Sequence, residues 1–176
     1  LLDRASCIAQ ESFETTGNLS ALALISELWA RSDLENSAER SKIYFSQLVD
    51  HCHSKGMQPH PAWYENMLAA LVECNNVTEA EAMLERARMD EVALTSRMYS
   101  PLIKVLISSN GLHVRRATKL FTEMVSLFLN GNSHAKPSPT LFRLVLDSLT
   151  SQGNQTEVLN LWRLWQQVQR YDPALQ

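Results

Sequence analysis

The chain contains no apolar run near the roughly 20 residues that a membrane-spanning helix requires, so no membrane insertion is expected. It has three cysteines, Cys7, Cys52 and Cys74, widely spaced and without a Cys-x-x-Cys pair. That excludes a disulfide framework and fits a reducing compartment such as cytosol, mitochondrial matrix or plastid stroma. Long period-two alternation is missing, and so are runs of β-branched residues, which leaves little from which to build a sheet. No Gly-rich phosphate loop, Gly-x-Ser-x-Gly or His-Glu-x-x-His occurs, so the expectation is a protein without enzymatic activity and without a cofactor. A starting methionine is missing too: the sequence opens Leu1-Leu2. This is expected of a fragment or a processed product, with any targeting segment lying upstream.

What is present is 176 residues of ordinary apolar content, enough for one domain with a real core or for an array of small repeats. Charge is unevenly spread. Residues 1–95 hold 7 Lys and Arg against 15 Asp and Glu, a net of −8; residues 96–176 hold 9 against 4, a net of +5, and the two halves sum to −3. Two readings fit: a basic end that faces an anionic or acidic partner, or a solvated surface.

Apolar residues recur at i, i+3, i+4 and i+7, the period of an amphipathic helix. Tyr64, Met67, Leu68, Leu71 and Val72 make one stripe, and Val77, Ala80, Met83, Leu84 and Ala87 a second. Tyr99, Leu102, Ile103, Leu106 and Ile107 make a third, ending at Asn110-Gly111. Val114, Ala117, Leu120, Phe121, Met124, Val125 and Phe128 form a fourth, ending at Asn130-Gly131. A fifth runs through Leu141, Phe142, Val145 and Leu149 to Gly153, and a sixth carries Val158, Leu161, Trp162, Trp165 and Val168 and ends before Pro173. Upstream, residues 19–30 and 37–55 read as helices, the second with Ile43, Tyr44, Leu48 and Cys52 on its face. Residues 1–13 read as the back helix of an earlier unit.

One sentence of sequence is written twice. PHPAWYENMLAALVECNN (residues 59–76) and PSPTLFRLVLDSLTSQGN (137–154) share Pro-x-Pro, aromatics, a helical apolar run and a polar stop. Proline in the first turn of a helix costs little, because its missing N–H has no partner there. A helical hairpin with two apolar stripes cannot bury both alone; stacking hairpins buries them in a continuous core. The expected fold is therefore all-α: a right-handed solenoid of about four antiparallel helix pairs, in a single helical-repeat domain. Its units run approximately over 19–60, 61–95, 96–138 and 139–170, with 1–16 as a helix of an earlier unit.

SKGMQPH (54–60) carries Gly56 and Pro59 at a unit ending. VTEAEAMLERA (77–87) has Ala80 at a small packing position, RRATKLFTEM (115–124) ends in Phe-x-x-Met, and KPSPTLFRLVLDSLTSQGN (136–154) spans a unit boundary and a first helix. With this spacing the chain, over roughly residues 41–167, resembles the pentatricopeptide repeat family. The tetratricopeptide repeat has a similar period, but its Trp and Gly-Tyr positions are not evident. The resemblance implies single-stranded RNA binding in mitochondria or, alternatively, plastids, at about one base per repeat. In that family the fifth and last residues of a unit choose the base, an aliphatic second residue wedges between bases, and a Lys near the end of the first helix contacts phosphate.

Carried over unit by unit, the base-facing positions are Glu65 and Thr95 in the unit from Pro61, Ser100 and Ser138 in the unit from Ser96, and Arg143 in the last; His60 closes the unit before. The wedge positions hold Ala62, Arg97 and Thr140, and Glu73 stands where a phosphate-binding base is implied. The usual Asn or Thr paired with Asp or Asn is absent from every unit. Two functions follow. One is a scaffold that packs against protein subunits of an organellar ribonucleoprotein, a mitochondrial ribosome or an RNA-processing complex, and touches RNA, including ribosomal RNA, by its backbone. The other is a single-stranded RNA-binding repeat protein acting in organellar RNA processing, stability or translation. Arg97, Lys104, Arg115, Arg116, Lys119, Lys136 and Arg143 would supply phosphate contacts, which need cations at suitable spacing and carry no sequence information.

Other constellations yield less. His51-Cys52-His53 suggests a metal, but neighbours on a helix point about 100° apart and do not converge, and zinc needs a fourth ligand; no metal is expected. The aspartate cluster of the family's nuclease-bearing subgroup has no counterpart here. Trp162 and Trp165 could stack bases, but beside Leu161 and Leu164 they read as core or protein contact. Asn76-Val77-Thr78 and Asn154-Gln155-Thr156 match sugar-acceptor tripeptides and read as helix turns.

Overall fold

A computed structural model of the chain describes residues 1–109 and 113–175. Among these the protein is all-α, with nine α-helices, two single-turn 3-10 helices and no strand. The expected stop at Asn110-Gly111 lies outside the described residues. The chain divides into two compact units, Leu1–Val92 and Ala93–Gln176.

The first unit holds α1 (Leu2–Thr16), α2 (Leu19–Ala30), α3 (Ser37–Ser54), α4 (Pro61–Glu73) and α5 (Val77–Met89). Here α2 packs on α1, α3 and α4, and α4 packs on α5. The second unit holds α6 (Ser96–Ser108), α7 (Val114–Leu129), α8 (Pro139–Ser151) and α9 (Gln155–Tyr171). Its pairs are α6 with α7 and α8 with α9, while α6 also lies against α8 and α7 against both α8 and α9.

One packing rule recurs through both units. The first helix of each pair buries positions i, i+3 and i+7: Leu22, Ile25 and Trp29 on α2; Tyr64, Met67 and Leu71 on α4; Tyr99, Leu102 and Leu106 on α6; Phe142, Val145 and Leu149 on α8. The second helix buries i, i+4 and i+7: Ser41, Phe45 and Leu48; Ala80, Leu84 and Ala87; Ala117, Phe121 and Met124; Leu161, Trp165 and Val168. Both spacings keep three side chains on one face of a 3.6-residue helix. Where the second helix opens its stripe with Ser41, Ala80 or Ala117, the small side chain lets the neighbouring helix approach.

Helix exits repeat as well. Gly56, Asn75, Glu91, Gly131 and Gly153 have positive φ, and the next amide returns to the carbonyl five residues back. Met57 N–H donates to Cys52 (2.8 Å), Asn76 to Leu71 (2.8 Å), Val92 to Ala87 (3.0 Å), Asn132 to Leu127 (3.0 Å) and Asn154 to Leu149 (3.3 Å). This is the left-handed C-terminal cap, which satisfies carbonyls left open at a helix end. Glu91, at φ 53°, takes that conformation with a Cβ in place, after α5 as Gly56 does after α3.

Two side-chain contacts fix the pairs polarly. The Tyr64 hydroxyl, fully buried on α4, donates to Asp90 at the end of α5. Arg86 Nε donates to the same carboxylate oxygen at 3.0 Å, and His53 of α3 stands 3.6 Å from the other oxygen. The Tyr99 hydroxyl of α6 donates to Glu123 of α7 at 2.7 Å. The two tyrosines occupy the same place in their repeats.

Two residues of the expected stripes, Ile43 and Trp162, are exposed rather than core. Ile43 is 50% exposed, because α3 turns Ser41, Phe45, Leu48, Val49 and Cys52 inward. Trp162 is 46% exposed, while Trp165 is buried and stacked on Phe142, with centroids 4.4 Å apart and rings 7° from parallel. Pro101 lies inside α6, where it removes one amide donor from the helical ladder.

Candidate nucleic-acid interface

The positions that close each repeat are helix N-caps. His60, Thr95 and Ser138 stand immediately before α4, α6 and α8. Nδ1 of His60 accepts the Ala62 amide at 3.2 Å, and Oγ of Ser138 accepts the Leu141 amide at 3.1 Å. Both satisfy amides that a helix start leaves open. At Thr95 the backbone carbonyl takes the Met98 amide at 3.1 Å. Two of the three side chains expected to face bases are therefore bonded to their own backbone.

The fifth positions are no better suited to bases. Glu65 and Ser100 are half-buried. Arg143 is exposed and stands 3.7 Å from Asp147 one turn on. Glu73, where the family resemblance implies a phosphate-binding base, accepts Arg31 Nε at 2.8 Å, and Arg31 also pairs with Glu27. Partial burial opposes the Arg31 charge, but the Glu73 and Glu27 carboxylates outweigh it and raise its pKa above the ordinary value. The ends of α2 and α4 are thus tied by an ion pair where a cation would have met RNA.

The seven cations do not form one patch. Arg97 and Lys104 lie on α6, with Ser100 between them at i+3, and Arg143 lies on α8. Arg115 and Lys119 lie one turn apart on α7 and line a groove of about 710 Å³ between α7 and α9; Arg116 is exposed on α7 but does not line it. Lys136 is joined to Asp172 at 2.5 Å, which holds the Asp172 carboxyl below its ordinary range. Lys104, Arg115 and Lys119 have no acidic partner among the described residues.

Groove residues that the sequence reading did not single out are Thr118, Thr122 and Ser126 on α7 and Asn160 on α9. The signal was present: three hydroxyls every fourth residue make a polar stripe beside the Arg115–Lys119 stripe. Glu123 and Glu157 also line the groove, and one Glu157 oxygen is buried without a hydrogen-bond partner. The arrangement suits phosphate contacts interrupted by carboxylates, with no platform for stacking a base.

The remaining constellations separate in space. Cys52 is buried, and burial pushes its thiol pKa up; His51 meets Phe13 edge-on at 5.1 Å, and His53 faces Asp90. Among the described residues no three His, Cys, Asp or Glu are placed to hold a metal ion. No described helix is long and apolar enough to cross a membrane. In comparison with known proteins, no family model and no curated protein matches the chain.

Proposed function

We propose that the chain is a non-catalytic helical-repeat scaffold of an organellar ribonucleoprotein, a mitochondrial ribosome or RNA-processing complex, or its plastid counterpart. It holds protein subunits and touches RNA through phosphates without reading bases. The architecture proposed with it is a right-handed α-solenoid of pentatricopeptide type. The repeated burial rule and the shared left-handed exits support that architecture, and the sequence resemblance supports the organellar setting. The observation that carries the function is the capping role of His60 and Ser138: side chains that hold helix starts are not available to select a base. The charge of the second unit, +5, supports backbone contact, and that of the first, −8, favours protein partners over RNA.

The alternative, a repeat protein that recognises single-stranded RNA by sequence, makes a different prediction. Affinities for oligo(A), oligo(C), oligo(G) and oligo(U) separate the two. The scaffold gives weak binding within about threefold across the four, whereas a preference above tenfold, about 1.4 kcal/mol, would establish base reading and overturn the proposal.

A further inference from the structure

Each unit has a groove between successive second helices, and the two grooves are lined from equivalent positions. In the first unit α3 and α5 form one of about 220 Å³; in the second, α7 and α9 form the groove of about 710 Å³. The later helix contributes its third, sixth, seventh and tenth residues in both: Glu79, Ala82, Met83 and Arg86 on α5, and Glu157, Asn160, Leu161 and Leu164 on α9. The earlier helix contributes the residue after its small packing position, Lys42 after Ser41 and Thr118 after Ala117.

What differs is charge pairing. In the α3–α5 groove every charged lining residue is paired, Lys42 with Glu79 at 2.7 Å and Arg86 with Asp90 at 3.0 Å. In the α7–α9 groove Thr118 replaces Lys42 and Leu164 replaces Arg86, and the Thr118 hydroxyl donates to the Val114 carbonyl at 2.9 Å. Glu157 therefore lacks the cation that holds Glu79. Its side chain accepts no hydrogen bond among the described residues, and one of its oxygens is buried. Glu123 is engaged by Tyr99 at 2.7 Å. Arg115 and Lys119, four residues and about 6 Å apart along the helix axis, have no acidic partner among the described residues.

That lining sets the chemistry of a ligand. Cations alone would suit any polyanion, and a carboxylate beside them repels phosphate. A further helix of the array, packing through an apolar stripe, would bury all three charges unpaired, which is costly. A chain that alternates anions with neutral hydroxyl donors pairs each of them. The backbone of RNA is such a chain. Its phosphates meet Arg115 and Lys119, and its 2′-hydroxyl donates to the Glu157 carboxylate, as a ribose hydroxyl does to the acidic residue of a dinucleotide site. DNA offers the phosphates without that donor.

We infer that Glu157 makes the α7–α9 groove selective for RNA over DNA, by accepting a ribose 2′-hydroxyl between phosphates held by Arg115 and Lys119. The inference rests on the phosphate-contact reading and adds to it a residue that selects the sugar. It falls on second helices, whereas the family resemblance assigns base reading to the first helices and the residues that precede them.

Three random single-stranded pools of one length, titrated with the whole protein, test it: RNA, DNA and 2′-fluoro RNA, which keeps the ribose shape and lacks the donor. RNA is expected to bind about tenfold tighter than either of the others, the scale of a hydrogen bond to a charged group. Glu157→Ala, with its helical circular dichroism unchanged, is expected to bring RNA affinity down to that for DNA. Glu157→Gln, whose amide oxygen still accepts, is expected to keep part of the preference. Equal, salt-sensitive affinity of the wild type for all three pools would overturn the inference and leave phosphate contact standing. A preference that Glu157→Ala does not alter would do the same, as would 2′-fluoro RNA bound as tightly as RNA, because sugar shape would then be what is read. No binding of any pool at low salt would sink phosphate contact and the inference together. Polyglutamate that competes with RNA at equal strength would overturn it in favour of an acidic protein segment.

Discussion

Replacing Tyr64 by Phe tests the polar lock of the first unit. The Tyr64 side chain is fully buried, so the ring stays and only the hydroxyl leaves. That hydroxyl donates to Asp90, whose side chain is only 8% exposed. A hydrogen bond to a charged group contributes about 1.5–3 kcal/mol. Arg86 remains on the same oxygen at 3.0 Å, which places the expected loss near the lower end, at about 1.5–2 kcal/mol. With a urea m-value of about 1.5 kcal/mol/M, the unfolding midpoint of the first unit falls by about 1 M. Trp29 and Trp63 lie in that unit and report its unfolding by fluorescence, with circular dichroism following the whole chain. In a double-mutant cycle with Asp90→Asn, the cost of Tyr64→Phe shrinks because the charged acceptor has gone. A loss under about 0.5 kcal/mol, the scale of an ordinary surface change, or a cost independent of residue 90, would refute the lock.

Further outcomes follow from the same structure. Glu91→Gly relieves a left-handed residue that carries a Cβ and should raise stability by about 1 kcal/mol, seen as a higher urea midpoint. Ser138→Ala removes the α8 cap and should cost about 1 kcal/mol while leaving RNA affinity unchanged; a change in base preference instead would contradict the capping role. Burial, with the Asp90 bond second, raises the Tyr64 pKa. Above pH about 10 the unfolded chain releases that proton while the folded chain keeps it, so stability falls as pH rises, by about 1.4 kcal/mol per unit. The Tyr64→Phe protein should lose that component of the alkaline slope.

Much of the helical organisation was legible because it depends on periodicity and punctuation. The bounds 19–30 for α2 follow from its apolar run. The first-helix stripes of α4, α6 and α8 were visible because i, i+3, i+7 is a property of the chain alone. What escaped depended on neighbours. Ile43 looks like core, but the face of α3 that meets α2 is the one holding Ser41, whose hydroxyl donates to the Ser26 carbonyl at 2.9 Å. Trp162 and Trp165 are indistinguishable by type, and only the position of Phe142 decides which is buried. The candidate site was less legible still. Seven cations can be counted in a sequence, but their division between the α6 and α8 helices, the α7–α9 groove and the Lys136–Asp172 pair depends on which helices meet. The capping of α4 by His60 was equally hidden, since histidine is not among the usual capping residues.

The most direct measurement is the affinity of the whole chain for a random single-stranded RNA pool across a salt series. For single strands the slope of log affinity against log salt is about −0.7 per phosphate neutralised. Contacts through the Arg115–Lys119 groove predict a slope near −1.4, from two phosphates at about that value each, falling towards zero in an Arg115→Glu, Lys119→Glu protein of unchanged helicity. Affinity that ignores salt, or that survives the double charge reversal with its slope intact, would contradict backbone contact through this groove.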